Sequence, residues 1–447
     1  MNKYSFKVLD QLNLDIQITS NPYQIPLQDL FAMAARINKK RSFLFVSKIL
    51  GKHIPVDPHI GLLGAFTLGL LLHAKNEVTM SVEMDQIVRG FSDSSEAFKL
   101  CERLKQQRLP VPEPMIFIGF AETATALGHG MFDLFTGPAR FIHTTRESIH
   151  DTSPRLSFEE EHSHATAHRC YAADPDFFSG EDTVVLVDDE ITTGKTALNI
   201  IQDIQQKHPR KHYVLASLLD WRSDEQKEQF TQVEQSLGIT IDCISLVQGK
   251  ISVNGAPPEV QAELPDLPVH DAAEQHIGII SLSEYFDHLS YSSTNSVGDV
   301  NKEPFLKFTG RFGMNAQESY VLDASISKAS AYLKQHRTGK KTLCLGTGEF
   351  MYIPMRIAAE MGDGIYYQSS TRSPIHPSDH KDYAVRNKFP FHSPDDPAIP
   401  YYFYNVPEGV YEEVFVFMER PHQPETFQSY EKALLSTGIP QINVVFC

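Results

Sequence analysis

The chain should fold as two α/β units built on parallel sheets, and three observations predict this. Val184–Val187 is an apolar run of β-formers cut off by turn residues, the pattern of a strand buried on both faces. Directly behind it, Ala197, Leu198, Ile200, Ile201 and Ile204 recur at helical spacing, so a helix packs back on that strand. The same strand–helix alternation runs through residues 111–250 and starts again near Pro304.

In chain order, residues 1–110 form an N-terminal extension that should be largely helical. A helical pattern around Leu27–Ile37 leads into the basic cluster Arg36, Lys39, Lys40 and Arg41, then the apolar run Phe43–Val46. The cluster either receives an anion at an active site or is a solvated helix end. Ile60–Leu72 is the longest apolar stretch; it is too short to span a bilayer and suits a core helix. The first α/β domain covers 111–288. Its strands are expected at Met115–Ile118, Arg140–Thr145, Val184–Val187 and Tyr213–Leu219. Residues 290–303, polar and small, mark the linker. The second α/β domain covers 304–447, with strands at Leu343–Leu345, Tyr366–Ser369, Val414–Met418 and Ile442–Phe446, and a helix over about Pro424–Leu435.

Composition narrows the function classes. The 447 residues are 41% hydrophobic and 21% charged, sufficient for real cores. A net charge of −16 argues against nucleic acid as a partner, because phosphate backbones demand surplus Lys and Arg. Five scattered cysteines, with no metal-type pair and no signal-peptide pattern at the start, fit a reducing cytoplasm. No membrane span is expected.

The chemistry concentrates at 188–196. Asp188 and Asp189 end the central strand, where open α/β sheets bind ligands. Thr192, Thr193, Gly194, Lys195 and Thr196 form a loop whose N–H groups and hydroxyls can ring a phosphate, helped by the positive N-terminus of the next helix. Gly194-Lys195-Thr196 is not an ATP-binding P-loop, because the required glycine five residues earlier is Asp189.

Four apolar residues, two acids, two variable residues and Thr-Thr-Gly-x-Thr resemble the phosphoribosyl-pyrophosphate (PRPP) motif of type I phosphoribosyltransferases, orotate phosphoribosyltransferase among them; Glu190 stands where that motif usually has an apolar residue. The resemblance implies the parallel-sheet fold of that family for the first domain. It implies that Asp188 and Asp189 hold the ribose hydroxyls, that 192–196 cradle the 5-phosphate, and that Mg²⁺ accompanies PRPP. It also implies transfer to a base-like nitrogen acceptor with pyrophosphate release, by an enzyme that is commonly a homodimer. Two further readings stay open: a PRPP-sensing regulator without catalysis, and a bifunctional enzyme whose C-terminal domain processes the product.

The remaining site residues follow from the same comparison. The small-residue stretch Phe120, Ala121, Glu122 and Thr123 stands where the family has its pyrophosphate loop, although Glu122 departs from the usual glycine or basic residue. Arg146 ends the next strand. The segment 147–170, with His162, His164, His168 and Arg169, suits a loop that closes over the substrate, where histidines neutralise the leaving group or move a proton; a solvated loop and a His-x-His metal site are the other possibilities. Trp221 could stack on a base or simply fill the core.

The second domain looks like a degenerate copy of the first. Leu343–Glu349, with Gly346 and Glu349, echoes Phe117–Glu122; Tyr366–Arg372 echoes Phe141–Arg146; Val414–Glu419 echoes Val184–Asp189. Glu122 and Arg146 are 24 residues apart, Glu349 and Arg372 are 23 apart. The copy has Glu419-Arg420-Pro421-His422 where the first has its threonine loop, so it should not bind PRPP the same way. Thr371-Arg372-Ser373-Pro374 resembles the signature of the TRSP domain, found behind phosphoribosyltransferases in tellurite-resistance gene clusters. By that resemblance, Gly346, Glu349 and Arg372 could hold a different ligand.

Overall fold

The structure, a computed structural model, describes residues 3–36, 42–75, 84–159, 167–256, 267, 275–380 and 383–447. The N-terminal 110 residues are not an appended helical unit. Strands β1 (Lys3–Val8) and β2 (Leu12–Ser20) form an antiparallel hairpin that joins the edge of the main sheet. Their alternation of buried Leu12, Leu14 and Ile16 with polar residues is that of a sheet with one face wet. The helix expected over Leu27–Ile37 is confined to the single turn Leu27–Leu30, and Phe31–Ala35 is strand β3, paired with β4 (Phe43–Ser47). Here β-forming Phe, Leu and Val on the partner strand override a helical spacing. The apolar stretch at 60–72 lies within α1 (Pro58–Lys75), buried almost throughout, and α2 (Met84–Ser92) and α3 (Ser94–Gln106) pack beside it. No helix among the described residues is long and apolar enough to cross a membrane.

The first unit then alternates as expected: β5 (Met115–Gly119), α4 (Ala124–Asp133), β6 (Ala139–His143), a hairpin of β7 (Leu156–Glu159) and β8 (Ala167–Cys170), β9 (Thr183–Ile191), α5 (Lys195–Lys207), β10 (His212–Asp220), α6 (Asp224–Leu237) and β11 (Thr240–Gly255). Strands β6-β5-β9-β10-β11 are parallel, in the order second, first, third, fourth, fifth. The order reverses between β5 and β9, and such a switch point opens a crevice at the carboxyl ends of the strands.

The second unit is built on β12 (His276–Ser281), α7 (Ala316–His336), β13 (Thr342–Gly346), α8 (Tyr352–Glu360), β14 (Ile365–Ser369), a hairpin of β15 (Lys388–His392) and β16 (Pro400–Tyr404), β17 (Glu413–Met418), α9 (Pro424–Leu435) and β18 (Gln441–Phe446). Its sheet, β14-β13-β17-β18-β12, is parallel throughout. From β13 onward the order is again second, first, third, fourth. The fifth position goes to β12, which comes earlier in the chain. The hairpin after the second strand recurs too: Thr145 exchanges backbone hydrogen bonds of 2.8 and 2.9 Å with Arg169, and Thr371 exchanges two of 2.8 Å with Tyr402. Order, hairpin and bonding together identify the second unit as a structural copy of the first.

The copies are interlocked. Val56 of the N-terminal segment pairs with Tyr367 at the edge of the second sheet, and Met314–Asn315 pairs with β6 at the edge of the first. Between them, α4 and α8 meet at a buried cluster. Asp133 accepts hydrogen bonds from Arg108 (2.6 Å), Tyr352 (2.6 Å) and Arg356 (2.7 Å), and His129 stacks on Tyr352.

Candidate functional site

The buried strand β9 carries Asp188 and Asp189 to the crevice edge. Asp188 and Asp189 stand just past Val187, the last residue of β9 paired with β5, so both lie at the switch point. Asp188 Oδ1 accepts the Asp189 N–H at 2.9 Å, which fixes its carboxylate on its own backbone. Asp189 faces Lys52 at 3.9 Å.

The chain turns at Thr192–Gly194 and enters α5 at Lys195. Gly194 has φ +75°, and a Cβ there would lie 2.6 Å from the Phe230 ring, so both conformation and packing require glycine. Asp188 and the whole of Thr192–Thr196 line one cavity of 80 Å³. The structure thus brings the acid and the threonine loop together, with the helix N-terminus opening behind them.

Beyond Asp189 lies a smaller cleft of 30 Å³ lined by Leu44, Phe45, Leu218, Lys52 and His53. Burial drives the His53 pKa well below its usual value, with the charges of Lys52 and Arg36 adding to the effect. Lys52 is missing from the sequence-based set of site residues. No local pattern singles it out, since Lys48, His53, Asp57 and His59 stand in the same stretch. Of the basic cluster, Arg36 bridges to Ile375, and Lys39, Lys40 and Arg41 lie outside the described residues.

The other expected residues divide. Phe120, Ala121, Glu122 and Thr123 are buried and do not line the Thr192–Thr196 cavity. Phe120 N–H donates to Val187 O at 3.1 Å and Ala121 N–H to Thr144 Oγ1 at 2.8 Å. Glu122 faces Arg146 at 3.8 Å and Arg372 at 3.9 Å. His162 and His164 lie outside the described residues. His168 is buried, with a ring nitrogen 3.0 Å from Thr144 Oγ1 and its ring stacked on Phe158. Trp221 is in the core rather than on a cavity wall: 6% exposed and stacked on Phe45, with centroids 4.9 Å apart.

Arg146, Glu349 and Arg372 belong to a different place, the seam between the copies. Glu349 accepts the Arg146 N–H at 2.9 Å and the Thr145 hydroxyl at 2.6 Å, while Glu122 accepts the Arg372 N–H at 3.4 Å. Equivalent residues therefore reach across to each other's strand ends in a reciprocal pair. Arg311 sits 3% exposed at the centre, 2.8 Å from Glu147, 2.9 Å from Glu349 and 2.7 Å from Glu419. Burial alone would lower the Arg311 pKa, but Glu147, Glu419 and Glu349 outweigh it and raise it. Burial likewise pushes Glu349 up, and Arg311, His143 and the Thr145 and Arg146 hydrogen bonds bring it down to about 2. For Glu147, burial wins over Arg311 and Arg420, and its pKa rises. Gly346 ends β13, and a Cβ on it would meet Phe350 O at 2.8 Å, so the following loop packs directly on the strand. No local pattern around Arg311 announces its role; it follows from tertiary packing alone.

Residues 30–250 match the family model described as phosphoribosyl transferase, and residues 308–436 match the model described as the TRSP domain C-terminal to it. The chain therefore carries a phosphoribosyl transferase-family domain followed by a TRSP domain. No curated protein matches. Solved structures give partial similarities. Adenine phosphoribosyl transferase from Trypanosoma brucei is 17% identical over 34% of this chain and 65% of that one, TM-score 0.23. The Giardia lamblia APRTase is 15% identical over 38% and 88%, TM-score 0.23, and orotate phosphoribosyltransferase from Aeropyrum pernix 15% over 35% and 73%, TM-score 0.20. Less than two thirds of the T. brucei enzyme is spanned. The family assignment rests on the two family models.

Proposed function

We propose that the first unit is a PRPP-dependent phosphoribosyltransferase acting on a base-like nitrogen acceptor in nucleotide metabolism. The observation that carries this reading is the single cavity shared by Asp188 and Thr192–Thr196 at the strand-order switch. The N–H groups at the start of α5 and the threonine hydroxyls bind the 5-phosphate. Asp188 and Asp189 accept hydrogen bonds from the ribose hydroxyls, and their negative charge favours the cationic character that develops on the sugar as pyrophosphate leaves. The acceptor nitrogen attacks C1 while the C1–O bond to pyrophosphate breaks, and most of the rate comes from holding the two reactants in line. The acceptor enters from the Asp189–Lys52 side, where Leu44, Phe45 and Leu218 offer apolar walls to a flat ring. The β3–β4 hairpin must open for it, since that cleft is now about the size of one water.

Mg²⁺ would neutralise pyrophosphate charge. Among the described residues no group of three His, Cys, Asp or Glu forms a metal cage. Asp188 and Asp189 would help hold the ion beside the substrate, where it would supply positive charge to the leaving pyrophosphate.

Burial of Phe120–Thr123 favours a second reading, PRPP binding without turnover. One experiment separates the two: pyrophosphate release with PRPP, Mg²⁺ and a panel of purine and pyrimidine bases. Release with one base, absent in Asp188→Asn/Asp189→Asn, supports the transferase. PRPP binding with no release for any base supports the sensor.

A further inference from the structure

A cavity separate from the one at the threonine loop lies where the two units meet. It measures 260 Å³ and opens in the second unit, at the carboxyl ends of β13 and β17, where that copy's own crevice falls. Its wall combines the loop after β13, the β15–β16 hairpin and the end of β17 with Arg146 and Arg169 from the first unit. The second unit therefore does not complete its cavity alone.

The charges of the wall are sorted. Arg311 is committed to Glu147, Glu349 and Glu419, and Arg420 to Glu147 and Asp395. Those two cations are held by four carboxylates and have no charge to spare for a ligand. Arg169 and Arg372 stand apart. Arg169 meets no carboxylate within ion-pair distance among the described residues; besides its backbone pairing with Thr145, its guanidinium donates to Arg146 O at 3.4 Å. Arg372 donates to the Tyr401 hydroxyl at 3.0 Å and, among the described residues, has Glu122 alone within ion-pair distance, 3.9 Å away and shared with Arg146. Two guanidinium groups on a cavity wall with less than one carboxylate each are a receptor for an anion, and their planar forks suit phosphate oxygens. Asp395 and Asp396, from the hairpin, supply acceptors on the same cavity. The space is many times the ~30 Å³ of a water, too large for a lone inorganic ion and right for a small organic phosphate.

We infer that this cavity is a second ligand site, for a phosphorylated and hydroxyl-bearing small molecule of sugar-phosphate size, with Arg169 and Arg372 on its phosphate. The site does not depend on the first unit's being catalytic. It gives the degenerate copy a ligand while explaining the loss of the threonine loop: phosphate binding has moved from a helix N-terminus to arginines, one of them from the neighbouring copy.

The test is calorimetric titration of ribose 5-phosphate into the full chain, with ribose and inorganic phosphate as separate arms. Wild type should take up two equivalents and Asp188→Asn/Asp189→Asn one. On that background Arg169→Gln should weaken the remaining site by about tenfold, the worth of one charge-assisted hydrogen bond, without changing the melting temperature. Glu122→Gln should tighten it, because it removes the carboxylate that competes for Arg372 and Arg146; a purely structural role predicts no gain. No binding in the Asp188→Asn/Asp189→Asn background overturns the inference. So does binding that ignores both Arg169→Gln and Glu122→Gln, or ribose binding as well as its phosphate. Inorganic phosphate binding as tightly as ribose 5-phosphate overturns the assignment to an organic ligand. If wild type takes up one equivalent that Arg169→Gln weakens and the Asp188/Asp189 change does not, the second site stands and the first-site reading falls.

Discussion

The two copies share a strand order and a hairpin, and they differ where the third strand ends. In the first, Val187 pairs with Gly119 and is followed by Asp188, Asp189 and the threonine loop. In the second, Phe417 pairs with Gly346 and is followed by Met418, Glu419, Arg420 and Pro421. The backbone arrives at the same place both times, and what it delivers is opposite. The first copy presents Asp188 to the threonine-loop cavity and Asp189 to the cleft beside Lys52. The second commits Glu419, 8% exposed on the wall of its cavity, to Arg311. A fold of this kind keeps its sheet while its chemistry is rewritten in a few residues at one edge.

Changes that separate the copies test this contrast. Arg311→Met should have the largest effect on stability. It leaves Glu147, Glu349 and Glu419 buried without their shared cation, at a cost of about 3–5 kcal/mol, measurable by urea unfolding. Unchanged stability would mean that the seam is not held by this cluster.

Acid should act through the same cluster. The Glu349 pKa is depressed in the folded state, so its stabilising contribution is present above its unfolded value and is lost as pH falls from about 5 toward about 2. Its ceiling is roughly 3 kcal/mol, and raised Glu147 offsets part of this. Glu349→Gln should flatten the pH dependence of the urea midpoint in that window. A slope equal to wild type's would remove Glu349 from the account.

Gly194→Ala should touch the first copy only. A left-handed conformation with a Cβ costs about 1–2 kcal/mol, and the Phe230 contact adds to it. PRPP affinity should fall about tenfold while the second cavity binds as before. Equal loss at both sites would contradict the separation. Trp221→Phe should do least, costing about 1 kcal/mol of stability from the lost stack on Phe45, with PRPP affinity unchanged. A fall in affinity would restore Trp221 to the site.

The parallel strands and the threonine loop were legible because their signals are local. Val184–Val187 and the 197–204 periodicity lie within one strand–loop–helix unit, and the duplication repeats that unit at matching intervals. The N-terminal strands were not legible: β1 and β2 are edge strands with a wet face, and Phe31–Ala35 becomes a strand only against Phe43–Ser47. The seam was half legible. Glu122, Arg146, Glu349 and Arg372 stood out as repeated residues, but their reciprocal pairing joins positions more than 200 apart in the chain, and Arg311 carries no motif at all. The interlock through Val56 and Met314–Asn315 has a practical consequence: either unit expressed alone exposes its own sheet edge, so the full chain is the object to assay.

The most direct measurement is calorimetric titration of PRPP with Mg²⁺ into wild type and Asp188→Asn/Asp189→Asn. Two carboxylates accepting hydroxyl hydrogen bonds at about 1.5–3 kcal/mol each predict wild-type binding and a loss of about a hundredfold or more in the variant, with melting temperature preserved. Binding of equal strength in both, or none to folded wild type, would contradict the account.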